Sequence, residues 1–223
     1  MSEQAPARPA EVDFRYYFRQ LPLVAILRGL RPDAAVAVGE ALVEAGFRIV
    51  EVPLNSPQPL ASIERLARAL PAAVLVGAGT VLDPDDVDRV RDAGGRLIVM
   101  PHSDRAVIAR ARERGLACTP GVATPTEGFA ALKAGADALK LFPAEALPPP
   151  VVKAWRAVLP PETLLLPVGG IRPETMKPFV DAGANGFGLG SALFAPKLTT
   201  AEIARNARAF VTAWRALGAE DRR

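Results

Sequence analysis

One cysteine, Cys118, and one histidine, His102, are all that this 223-residue sequence offers of the two side chains most used in disulfides and metal centres. A lone cysteine excludes an intramolecular disulfide and fits a reducing cytoplasm. A lone histidine without a second His or a tight acidic cluster makes a poor metal site, so no metal and no other cofactor is expected. No stretch reaches the ~18 uncharged apolar residues that a membrane span needs. Met1 to Pro9 lacks the continuous apolar run of a secretory signal, so a soluble, unprocessed chain with a flexible segment 1–9 is expected. Aromatic residues are few, and the formal charge of +3 comes from arginines scattered among acidic residues. Neither a stacking platform nor a basic stripe results, which argues against nucleic acid as a partner. The small positive excess still favours capture of a small phosphorylated acid.

What is present is apolar residue in quantity, half of the chain, enough for one substantial core and one domain over residues 1–223. From Leu23 onward, short apolar runs alternate with helix-period segments, the rhythm of parallel strands joined by helical crossovers. Strands are expected at Leu23 to Arg28, Ile49 to Leu54, Val74 to Thr80, Leu97 to His102, Leu116 to Val122, Ala138 to Pro143, Leu164 to Gly170 and Gly186 to Ser191. Their uninterrupted apolar character implies burial on both faces. Between them, Val38, Ala41, Leu42 and Ala45 form a helical stripe, as do Ile63, Leu66, Ala67 and Leu70, and Val151, Trp155, Val158 and Leu159. Ser56-Pro57, Asp83-Pro84 and Thr124-Pro125 each set a capping side chain before a proline that fits the first helical position, and Glu127 completes a capping box with Thr124. A final helix from Thr200 to Leu217 closes the chain. About eight strand-then-helix units point to a (β/α)8 TIM barrel, although an open doubly wound sheet alternates similarly. Glu11 to Gln20, with Phe14, Tyr17 and Phe18 at helical spacing, reads as an extra N-terminal helix plugging the barrel.

In such a barrel the site forms at the C-terminal ends of the strands, where Arg28, Glu51, Thr80, His102, Thr119, Lys140 and Ser191 close the apolar runs. Lys140 stands apart because it interrupts Ala138-Leu139-Lys140-Leu141-Phe142, where an ammonium finds little water and its pKa should fall. A neutral amine can add to a keto carbon and form an imine. The plainer role is a buried ion pair with Glu51, and the two roles can coexist. Glu51 interrupts a similar run and is suited to move protons beside such an imine, or to serve as counterion to Arg28 or Lys140. Arg28 can grip a substrate carboxylate with its planar fork. Gly169-Gly170 and Gly190-Ser191, after the last two strands, allow backbone N–H groups to approach a phosphate, although such turns also occur as plain connections. Thr80 and Pro101 end strands too, as substrate contacts or as a cap and a rigid turn.

The blocks LVAILRG (23–29), VEVPLNSP (50–57), VGAGTVLDP (76–84), TPGVATPTE (119–127), ALKLFPAE (138–145), LPVGGI (166–171) and GLGS (188–191) resemble, in order and spacing, the 2-keto-3-deoxy-6-phosphogluconate/6-phosphogalactonate aldolase family. The resemblance runs from about Leu23 to Trp214. It implies a class I aldolase in which Lys140 forms the Schiff base and Glu51 donates and accepts the proton. It further implies that Arg28, Thr80, Pro101, Phe142 and Val168 contact substrate, that Gly169, Gly170, Gly190 and Ser191 cradle a phosphate, and that the protein is a homotrimer. Gluconate-type members carry an arginine shortly after the glutamate and a threonine before the paired glycines; here stand Asn55-Ser56 and Val168. These departures resemble the galactonate branch, which implies cleavage of 2-dehydro-3-deoxy-6-phosphogalactonate to pyruvate and D-glyceraldehyde 3-phosphate. The gluconate epimer, or both, is the alternative. More distant are a phosphosugar isomerase or epimerase on the same scaffold and a non-catalytic sensor of a phosphorylated ligand.

Overall fold

Continuous apolar runs become strands because a parallel ladder buries both of its faces, and the period of two then sorts each run into an inward and an outward set. A computed structural model describes residues 12–218; the segment 1–9 expected to be flexible lies outside the described residues. Nine strand segments are found among them: β1 (Leu23–Ile26), β2 (Ile49–Pro53), β3 (Leu75–Gly79), β4 (Leu97–Val99), β5 (Ala117–Thr119), β6 (Gly121–Val122), β7 (Leu139–Leu141), β8 (Leu165–Pro167) and β9 (Phe187–Leu189). All pair in parallel, in a six-stranded sheet ordered β5-β4-β3-β2-β1-β9 and a three-stranded sheet ordered β6-β7-β8. One isolated parallel bridge, Val168 to Gly188, connects the end of β8 to β9. The expected strand Leu116 to Val122 is broken at Pro120, which has no N–H for a ladder; its carbonyl accepts from Lys140 N at 2.9 Å instead.

The helices are α1 (Phe14–Gln20), α2 (Ala35–Ala45), α3 (Pro59–Ala69), α4 (Pro84–Asp92), α5 (Arg105–Glu113), α6 (Pro125–Ala134), α7 (Pro149–Arg156), α8 (Met176–Asp181) and α9 (Thr200–Ala216). Asp83 caps α4 by accepting from Asp85 N, and Thr124 and Glu127 form the expected capping box on α6. Ser56-Pro57 does not start a helix. Helix α3 begins at Pro59 after Gln58, which turns with φ +44°, while Ser56 Oγ accepts from Gly29 N at 2.9 Å and ties the loop after β2 to the loop after β1. Val158 is also misplaced by periodicity: α7 ends at Arg156, and Val158 stands 58% exposed beyond it.

Two apolar clusters follow from the strand alternation. The outer one joins Ala25, Val50, Val52, Val76, Ile98, Leu139 and Leu141 to the stripes of the helices, including Leu42, Leu66, Trp155 and Trp214. The inner one gathers Val24, Ile49, Leu75, Leu97, Ala117, Ala138 and Leu166 with Phe14, Tyr17 and Phe18 of α1. Strands from both sheets thus curl around a common interior, and each fully buried Leu, Ile or Phe contributes roughly 1.5–3 kcal/mol to keeping it dry. Among the described residues no helix is long and apolar enough to cross a membrane.

Candidate active site

The same alternation that sends Val50 and Val52 outward turns Glu51 inward beside Ile49, and the outward Leu139 and Leu141 leave Lys140 facing the interior. Both side chains are buried, at 1% and 5% exposure. Gly79, on the neighbouring strand, makes room for the carboxylate: a Cβ built there would overlap Glu51 Oε2. That oxygen has no hydrogen-bond partner among the described residues. Burial pushes the Glu51 carboxyl up to about 7, against the opposing pull of Lys140 and Arg28. Burial likewise pushes the Lys140 ammonium below its ordinary value, Glu51 partly opposes this, and Arg28 adds to it. An acid that titrates near neutrality beside a lysine with an enlarged neutral fraction can carry out carbonyl condensation with proton transfer.

Lys140 stands where two spaces meet. On one side opens a cavity of about 400 Å³, lined by Arg28, Lys140, Phe142, Val168, Gly169 and Gly170 together with Glu145, Gly190 and Ser191. On the other, a narrow gap reaches Glu51, Thr119 and the apolar side chains of the interior. The Lys140 Nζ lies 4.8 Å from the centre of the Phe142 ring, which forms one wall of the amine's surroundings. Arg28 projects from the turn after β1, exposed, with its Nη1 donating to Asn55 Oδ1 at 2.8 Å. Gly169 and Gly170 turn with φ of +117° and +63°, values an L side chain resists, so glycine is required for this backbone to line the cavity.

Thr80 and Pro101 line neither space. Thr80 sits in the left-handed region with φ +54°, and the Pro101 backbone packs tightly against Gly121. Two residues given no role from sequence join the site. Thr119, at the end of β5, holds a buried hydroxyl that has no hydrogen-bond partner among the described residues and lines the same gap as Glu51 and Lys140; its signal was a polar residue closing an apolar run. Glu145 follows β7 in a loop and left no comparable signal. Cys118 is buried, and burial pushes its thiol far up, which removes it as a nucleophile. His102 is exposed, and no group of three or more His, Cys, Asp or Glu that could hold a metal ion occurs among the described residues.

The family model described as KDPG and KHG aldolase matches residues 15–208. The chain is 47% identical over 196 residues to the 2-dehydro-3-deoxy-6-phosphogalactonate aldolase of Escherichia coli (strain K12), a match covering 88% of this chain and 96% of that one. A solved structure titled native KDPGal superimposes with a TM-score of 0.88 at 47% identity, covering 89% of this chain and 97% of the other. A cube-shaped protein cage designed by fusing symmetric oligomeric domains contains a similar chain, with a TM-score of 0.88, 46% identity, and 91% and 75% covered.

Proposed function

The chain belongs to the KDPG and KHG aldolase family, and from that we propose that it is a Schiff-base aldolase acting on 2-dehydro-3-deoxy-6-phosphogalactonate. Neutral Lys140 adds to C2 of the keto acid and water leaves, giving a protonated imine. Glu51, directly or through a water, takes the proton of the C4 hydroxyl. The C3–C4 bond breaks, its electrons pass through the imine to nitrogen, and D-glyceraldehyde 3-phosphate departs from an enamine. Protonation at C3 with Glu51 as relay, then hydrolysis, releases pyruvate and restores the amine. Arg28 holds the substrate together with Phe142 and Val168. Gly169, Gly170, Gly190 and Ser191 receive the phosphate.

One observation carries this reading: a buried amine depressed by desolvation opens onto the same 400 Å³ cavity as Arg28 and both glycine turns. The galactonate epimer is supported by the curated relative of that name and by Val168 and Asn55 at the positions where gluconate-type members differ. The gluconate epimer is the second reading, because the family description covers it. We also read the two sheets as one (β/α)8 barrel. In it β5 and β6 form a single strand interrupted at Pro120, the Val168–Gly188 bridge joins the remaining edges, and α1 is an added N-terminal plug. A homotrimer in the cytoplasm completes the proposal; the cage built from symmetric oligomeric domains supports self-association, and a single buried Cys118 suits a reducing compartment.

Pyruvate release from each C4 epimer, coupled to lactate dehydrogenase, tests the assignment. We expect turnover with the galactonate epimer to exceed that with the gluconate epimer by about tenfold, equivalent to ~1.4 kcal/mol in the transition state. Pyruvate from neither epimer would overturn it.

A further inference from the structure

Glu145 lies across the glycine turn to which the phosphate is assigned above. A Cβ added at Gly169 would overlap its Oε2, and one added at Gly170 would stand 3.1 Å from Oε1. The carboxylate therefore rests against both glycines, on the wall of the same cavity as Lys140, Gly190 and Ser191. Nothing ties it there. Among the described residues Glu145 makes no hydrogen bond and no ion pair, and it is exposed to solvent. An acid that packs on a backbone suited to anions, yet is held by no partner, can be displaced when a stronger anion arrives. It also opposes that anion, because two like charges a few ångströms apart repel even through water.

We propose that Glu145 is a specificity-determining gate on the phosphate subsite, which covers the paired glycines when no ligand is bound and weakens the binding of a dianionic phosphate ester against less charged ligands. The assignment rests on the reading of Gly169-Gly170 as phosphate-binding. Its role is electrostatic competition rather than chemistry, since Lys140 and Glu51 lie deeper in the cavity system.

Inorganic phosphate is the probe, used as a competitive inhibitor of pyruvate release by the full-length enzyme. Replacing Glu145 with Gln keeps the shape and removes the charge; replacing it with Asp keeps the charge and draws it back from the glycines. We expect Glu145→Gln to lower the inhibition constant for phosphate and the KM for the phosphorylated keto acid by roughly three- to tenfold at low salt. The effect should shrink at high salt, with the change falling in KM rather than kcat. The preference for the phosphorylated over the unphosphorylated keto acid should rise by the same factor, and Glu145→Asp should stay nearer the wild type. Competition by phosphate in the wild type with an inhibition constant unchanged or raised in Glu145→Gln would overturn the gate alone. Absence of competition in both the wild type and Glu145→Gln would overturn the phosphate subsite and the gate with it.

Discussion

Glu51 costs the fold stability at neutral pH if its carboxyl is as thoroughly dehydrated as its position on β2 implies, and replacing it with Gln should make that cost visible. A carboxyl near 4.5 in the unfolded chain and about 7 in the folded one differs by roughly 3 kcal/mol between the two states. The folded state binds more protons between those values, so this contribution is fully present below 4.5 and is lost as pH rises through about 7. Glutamine does not titrate. The stability of Glu51→Gln minus that of the wild type should therefore grow by about 3 kcal/mol between about pH 4 and about pH 8. Lys140 moves the difference in the same direction. Loss of the Glu51 charge lowers the Lys140 pKa further, and a lysine whose folded pKa is depressed gains stability as pH rises. Urea unfolding followed by tryptophan fluorescence, at several pH values across this range, measures the difference. Parallel stability curves for the two proteins would refute the reasoning, because Glu51 would then titrate alike whether folded or unfolded.

Glu51→Gln should also slow pyruvate release by about 10²–10⁴-fold, while borohydride trapping still labels the lysine to some extent; unchanged turnover would remove Glu51 from the mechanism. Gly79→Ala sets a Cβ into the space of a carboxylate that is itself buried, so its kcat should fall comparably, and near-normal turnover would contradict the packing described. Lys140→Met should lose turnover and, because it leaves the buried Glu51 without the cation that opposes its upward push, should lower stability near neutral pH by about 1–3 kcal/mol, a loss that shrinks near about pH 4, where Glu51 is protonated whether folded or unfolded; an undiminished urea midpoint near neutral pH would contradict this. Val168→Thr adds a hydroxyl to the cavity wall before Gly169 and should move the epimer preference toward gluconate by up to about tenfold. An unaltered ratio in the coupled assay would free Val168 of that role.

Lys140 and Glu51 were legible in the sequence as inward residues because each is a lone charge in a run too apolar for solvent, and strand alternation does the rest. The glycine turns were legible for a related reason, coming directly after apolar runs. Less could be read where tertiary contact decides. Ser56 has the look of a helix cap, yet its hydroxyl meets Gly29 from another loop, a long-range contact that no local rule contains. Pro120 breaks β5 from β6, although the apolar run through it reads as one strand. Val158 keeps the helical period after α7 has already ended. Glu145 is the one charged residue of the loop Pro143-Ala144-Glu145-Ala146-Leu147-Pro148, where a lone charge is easily solvated and marks no site, and only the three-dimensional return of β8 brings Gly169 and Gly170 under its carboxylate. Thr80 and Pro101 follow β3 and β4 but do not reach the cavity wall; at Thr80 the chain leaves β3 through a residue with positive φ.

Reduction of the enzyme with borohydride in the presence of pyruvate, followed by peptide mass spectrometry, interrogates the buried amine itself. A three-carbon adduct confined to the peptide bearing Lys140, and missing from Lys140→Met, is the predicted result. Modification of any other lysine in its place, or equal labelling of the variant, would contradict the Schiff-base assignment.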